Sequence, residues 1–160
     1  MVIHLPQPKQ LRDLLTELLG REVTLSPTTP FAPGPDTPAS VAVYVDDQLR
    51  ICALIACDLT FSAHAGAAIG LVPPGGSEAA IEDGKLTDTL SENLYEVLNI
   101  AASMFNVAGA DHLKLHALHP AGPPLDPQLR ISTLTLGRRE DLAVSIAGYG
   151  DGVLSVVLLA

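Results

Sequence analysis

Five polar side chains, Glu92, Glu96, Asn99, Ser103 and Asn106, follow one another at intervals of four, three, four and three residues. On a helix turning about 100° per residue this rhythm gathers them into a single row. The two carboxylates carry fixed negative charge, the amides offer a donor and an acceptor each, and Ser103 adds a hydroxyl. Glu96 and Asn99 are three apart and so present an anion and an amide to the same point. No Lys or Arg lies between Asp88 and Asn106, whereas a merely solvated helix face normally mixes in both. The row is suited to face a partner or a substrate. Pattern alone also allows the plain alternative, an exposed face in an acidic protein. Glu92 and Glu96 as an acid/base pair for a small molecule fit less well, because residues at i, i+4 point the same way and cannot flank a bond from opposite sides.

The element carrying this row is legible from its other side. In DTLSENLYEVLNIAASMFN, Asp88 to Asn106, the residues Leu90, Leu94, Val97, Leu98, Ala101 and Phe105 form one apolar stripe, which predicts an amphipathic helix packed on a core. Upstream, Lys9 to Gly20 repeats leucines at i, i+3, i+4, i+7 and i+8, a helix that Gly20 would end. Arg21 to Leu25 reads as a short strand, and Thr28 to Pro38 as a proline-rich loop. Ser40 to Val45 and Leu49 to Cys57 read as two strands about an Asp46-Asp47 turn, the second apolar enough to be central in a sheet. Asp58 or Thr60 would cap a small-residue helix running to about Leu71, packed closely on a neighbour and ended by Pro73-Pro74-Gly75-Gly76. His112 to His119, Arg130 to Leu136, Leu142 to Ile146 and Val153 to Leu159 read as four strands, the last two joined by a GYGDG hairpin. The expected architecture is an α/β domain of the α+β type, 1–160, with a mainly antiparallel sheet packed against the long helix and two further helices.

Charge and composition exclude several functions. A net charge of −9 and a pI near 4.7 are unsuited to nucleic acid, whose phosphates are bound through clustered Lys and Arg. No window offers the roughly 20 apolar residues of a membrane span, and the start MVIHLPQPKQ lacks a signal-peptide pattern; the expectation is a cytoplasmic protein. GLVPPGG has neither GxxxxGK nor GxGxxG spacing, so a phosphate loop is not expected. Cys52 and Cys57, five apart on a strand, should point to opposite faces and stay unpaired thiols. Asp111, His112, His116 and His119 are the densest set of metal-ligand types, yet on a strand His112 and His116 stand about 13 Å apart and His119 points away, so no metal site is expected. Ser77 and Ser91 have no recognisable His and Asp context and no GxSxG turn, which leaves a serine hydrolase unsupported.

The segment Tyr95-Glu96-Val97-Leu98-Asn99-Ile100-Ala101-Ala102 resembles the E-x-x-N helix of the CheC/CheX/FliY family of chemotaxis phosphatases. The order of elements is similar to that of a CheX-like chain, which carries this helix once; CheC-like members carry it twice. The resemblance implies dephosphorylation of the aspartyl phosphate of a CheY-like response regulator in chemotaxis or two-component signalling. It implies that Asn99 holds the attacking water in line with phosphorus and that Glu96 contacts the regulator's lysine. Glu92, Ser103 and Asn106 would complete the partner-binding row. The chain would need no cofactor of its own, the regulator bringing Mg2+. Two positions depart from the family pattern: Glu92 stands where Asp or Ser is usual, and Ala121, after Pro120, stands where a proline is usual. A non-catalytic, dimeric CheX-like binding module is the alternative; the apolar last strand, VLSVVLLA, would serve a homodimer as an edge that pairs across chains, and a central strand in a monomer is the plain reading beside it.

Overall fold

The computed structural model describes residues 2–159. Six antiparallel strands form one sheet in the order β1-β5-β6-β3-β2-β4, with β1 Val23–Pro27, β2 Ala39–Val45, β3 Ile51–Asp58, β4 Lys114–His119, β5 Arg139–Ile146 and β6 Gly150–Leu158. Helices α1 Pro8–Leu19, α2 Leu59–Ile69, α3 Pro74–Asp83 and α4 Asp88–Ala101 are joined by a short α5, Pro127–Ser132. The α+β architecture and the antiparallel sheet match the sequence expectation, with more helix than expected.

Alternation along the strands divides the sheet into two faces. Ala42, Tyr44, Ala53, Ile55, Cys57, Leu142, Val144, Ile146, Leu154, Val156 and Leu158 face the large core, which α1, α2 and α4 close with Leu11, Leu15, Phe61, Leu94 and Leu98. Val41, Val43, Val45, Leu54, Ala56 and Val157 face the other way, beneath Phe31, Leu125 and Leu129. Both β2 and β3 are buried on both faces, which accounts for their unbroken apolar runs.

Helix α2 is the central helix, buried from Phe61 to Ala68, and Asp58 caps it by accepting from the Phe61 N–H at 2.8 Å. Its small residues admit α4: a Cβ at Gly66 would lie 2.7 Å from the Leu90 carbonyl oxygen, so glycine is required for this approach.

Four expectations are corrected. Arg130 to Leu136 is not a strand. Asp126 accepts from the N–H groups of Gln128 and Leu129 and Pro127 occupies the first helical turn, so the local cap overrides the β-like alternation of ISTLTL. Pro73-Pro74-Gly75-Gly76 does not merely stop α2; Pro74 opens α3, which ends at Gly84 with φ +77°. Cys52 and Cys57 do not face opposite ways. A bulge opposite Tyr44 and Val45 shifts the side-chain alternation, and both thiols join the helix-side core; they are unpaired. Finally, β6 is not an edge: it pairs with β5 and β3, leaving β1 and β4 as edges.

Candidate functional site

Helix α4 begins at Thr87, whose hydroxyl accepts from the Leu90 N–H at 3.2 Å, with Asp88 in the first turn where the helix dipole favours negative charge. Leu90, Leu94, Val97, Leu98, Ala101 and Phe105 are all buried, the stripe read from the sequence. At its end α4 tightens into a 3-10 turn, Ala102–Met104. The Ala102 N–H turns to the carbonyls of Asn99 and Ile100, and the Leu98 carbonyl accepts instead from the Tyr44 hydroxyl at 2.6 Å. Burial, with a smaller push from Cys57, holds the Tyr44 phenol well above its usual range, so this hydroxyl keeps its proton. Tyr44 also packs against Phe105 with ring centroids 5.0 Å apart. The backbone beside Asn99 is thus tied to β2, an interior strand of the sheet.

The chain has three asparagines, and the structure separates them by use. Asn93 donates from Nδ2 to the Gly66 carbonyl at 2.9 Å, joining α4 to α2. Asn106 accepts from the Leu113 N–H at 2.7 Å and donates to the Leu113 carbonyl at 2.9 Å, fixing the entry to β4. Asn99 is exposed and has no hydrogen bond from its side chain among the described residues. Glu92, Glu96 and Ser103 are likewise exposed and form no side-chain hydrogen bond or ion pair among the described residues. Four members of the expected row therefore stand together and uncommitted on one surface, while the fifth, Asn106, is engaged by the backbone of Leu113.

Beside the row lies a shallow, open cleft of about 290 Å3 lined by Ser91, Glu92, Tyr95, Leu118 and Pro120. It is mostly apolar and includes Glu92 but not Glu96, so it does not set the two carboxylates against each other across a bound molecule. No pattern in the sequence marks this cleft, because it joins α4 to the far end of β4. A second cleft, of about 370 Å3, is lined by Asp46, Arg50, Cys52, Asp111 and Arg138. Its guanidinium groups are already engaged: Arg50 Nε donates to Asp46 at 2.8 Å and Arg138 Nη1 to the Ile3 carbonyl at 2.8 Å.

Among the described residues, no three His, Cys, Asp or Glu side chains gather to hold a metal ion; His112, His116 and His119 are all exposed. Among the described residues no helix is long and apolar enough to cross a membrane. One histidine–serine pair does form, and it was not legible in the sequence: His64 Nδ1 and Ser77 Oγ are 2.9 Å apart. Ser77 is fully buried and donates to the Pro74 carbonyl at 2.9 Å, so the imidazole N–H donates to Ser77 and takes no proton from it. The pair ties α2 to α3 and is not a nucleophile.

No family model matches the chain, and no curated protein matches its sequence. Solved structures do match its fold. FliM in the FliG–FliM complex from H. pylori superposes with a TM-score of 0.62 at 9% identity, covering 94% of this chain and 85% of that one. The CheX–CheY–BeF3–Mg2+ complex from Borrelia burgdorferi gives 0.55 at 13% identity, covering 92% of each chain. FliY from Thermotoga maritima gives 0.54 at 12% identity, covering 92% of this chain and 81% of that one. At these identities the likeness is one of fold: the chain has the fold of the CheC/CheX/FliY proteins.

Proposed function

From that fold and the uncommitted Glu96–Asn99 pair, we propose that the chain is an aspartyl-phosphate phosphatase acting on a CheY-like response regulator in cytoplasmic chemotaxis or two-component signalling. Residues 1–160 serve as one CheX-like domain. The observation carrying the reading is that Asn99, alone among the three asparagines, is exposed with its amide free, one helical turn from an equally free carboxylate at Glu96.

The reaction cleaves the P–O bond of the acyl phosphate by attack of water, returning the regulator's aspartate as a carboxylate and releasing inorganic phosphate. Phosphoryl transfer passes through a loose transition state, so catalysis consists mainly of placing the nucleophile and balancing charge. Asn99 holds the water in line through its amide, and its position is firm because the adjacent Leu98 carbonyl is bonded to Tyr44. Glu96 takes the regulator's lysine, fixing the docked orientation. Magnesium comes with the regulator, a reading supported by the presence of Mg2+ in the CheX–CheY–BeF3–Mg2+ complex of the same fold. Glu92 and Ser103 extend the contact on either side of the pair.

A second reading keeps the surface and omits the chemistry: a non-catalytic, dimeric CheX-like binding module. It is favoured by FliM, which shares the fold and is found in complex with FliG. Phosphate release from an acetyl-phosphate-labelled receiver separates the two readings, since acceleration is expected of the phosphatase and association without acceleration of the module. For the homodimer the interior position of β6 moves the expected contact to β1 or β4, and light scattering should give a mass near twice 16.7 kDa.

A further inference from the structure

The apolar cleft between α4 and the end of β4 adjoins the polar row, and we propose that Tyr95, with Leu118 and Pro120, is the apolar anchor for the receiver that the row engages. The inference rests on the receiver reading above and extends it to a contact outside the E-x-x-N pair.

Tyr95 is 42% exposed, the most open of the large apolar side chains on a helix where Leu90, Leu94, Val97 and Leu98 are buried and Ile100 is half-buried. It lies one turn from both Ser91 and Asn99, so it flanks the row along its β4 side. Leu118 is half-buried against the main core, and Pro120 follows the strand, so the cleft floor is held by the sheet and is preformed. Rigid aromatic side chains beside a preformed apolar hollow are the usual centres of binding energy in protein interfaces.

Charge complementarity specifies the occupant. Glu92 lines the cleft and Glu96 stands one turn further along, with no Lys or Arg on this helix from Asp88 to Asn106 to neutralise them. The fitting partner surface therefore pairs an exposed aliphatic or aromatic side chain with a lysine or arginine within about one to two helical turns, or about 5–10 Å. Tyr95 makes no hydrogen bond among the described residues, so its removal leaves the fold intact. The anchor serves association, and Asn99 serves turnover.

The experiment measures two quantities on the same receiver: Kd by fluorescence anisotropy with the receiver held in its beryllofluoride–magnesium form, and kcat by phosphate release from the acetyl-phosphate-labelled form. Tyr95→Ala is expected to raise Kd about tenfold while kcat at saturating receiver stays within about twofold, and Tyr95→Phe to bind as wild type does. Asn99→Ala is expected to lower kcat with little change in Kd. An unchanged Kd for Tyr95→Ala overturns the anchor. Wild type that binds without accelerating decay overturns the phosphatase reading alone, because the Kd comparison still supports the anchor if Tyr95→Ala weakens it. Failure of wild type to bind any receiver from the same genome overturns both.

Discussion

Replacing Asn106 by alanine should destabilise the fold, and replacing Asn99 should not, although both residues are asparagines of the same row. Asn106 satisfies the N–H and the carbonyl of Leu113, a residue with no exposed surface. A buried peptide group left without a partner costs about 1–3 kcal/mol. Two are exposed to that cost here, but Asn106 is only half-buried, so water entering the vacated space recovers part of it. The expected net loss is about 2–3 kcal/mol, which in a chain of this size lowers Tm by about 5–10 °C. Asn99, exposed and unengaged, should change stability by no more than about 0.5 kcal/mol. Urea unfolding followed by circular dichroism gives both values, with the slope m checked for constancy. A loss below about 0.5 kcal/mol for Asn106→Ala, or an equal loss for the two variants, would refute the division of the asparagines into structural and free.

Other parts of the fold make equally specific demands. Gly66→Ala should cost about 1–3 kcal/mol in the same unfolding assay, since its Cβ would meet the Leu90 carbonyl oxygen at 2.7 Å and α4 must shift to admit it. Arg139 and Asp141 form a buried ion pair at 2.8 Å, and Arg139 also donates to the carbonyls of Thr133 and Thr135. Arg139→Ala should therefore lose about 3–5 kcal/mol, and a value near zero would show that the pair does not hold the segment after α5. For His64, burial holds the imidazole below its usual 6.5 against the opposing pull of Glu78, Asp58 and Asp151. Its contribution is complete above pH 6.5 and is lost as pH falls below that, because the unfolded chain then binds the proton more readily. Wild-type stability should accordingly fall more steeply than that of His64→Gln between pH 7 and pH 5, and parallel curves would contradict the assignment.

The sequence disclosed α4 well because its two faces differ sharply in character, and every residue of the expected apolar stripe is buried. It disclosed β2 and β3 because burial on both faces leaves an uninterrupted apolar run. Where it misled, a short-range signal met a stronger one. ISTLTL alternates like a strand, but Asp126-Pro127 just upstream caps a helix. VLSVVLLA is as apolar as a sticky edge, yet an interior strand needs the same composition, and only pairing partners distant in sequence distinguish them. The row of polar residues was visible as a row. That Asn106 is engaged by Leu113 was not, since the partner is backbone and carries no side-chain signature. The cleft under Tyr95 was hidden for a related reason: it exists only because β4 ends beside the middle of α4.

The central claim is tested most directly by the decay of a magnesium-loaded, acetyl-phosphate-labelled CheY-like receiver in the presence of wild type, Asn99→Ala and Glu96→Ala. Removal of one preorganised polar contact to a transition state typically lowers kcat by about 10²–10³-fold, so wild type should accelerate phosphate release and Asn99→Ala should lose nearly all of that acceleration while remaining folded. Equal acceleration by wild type and Asn99→Ala, or none by wild type with any receiver of the same genome, would contradict it.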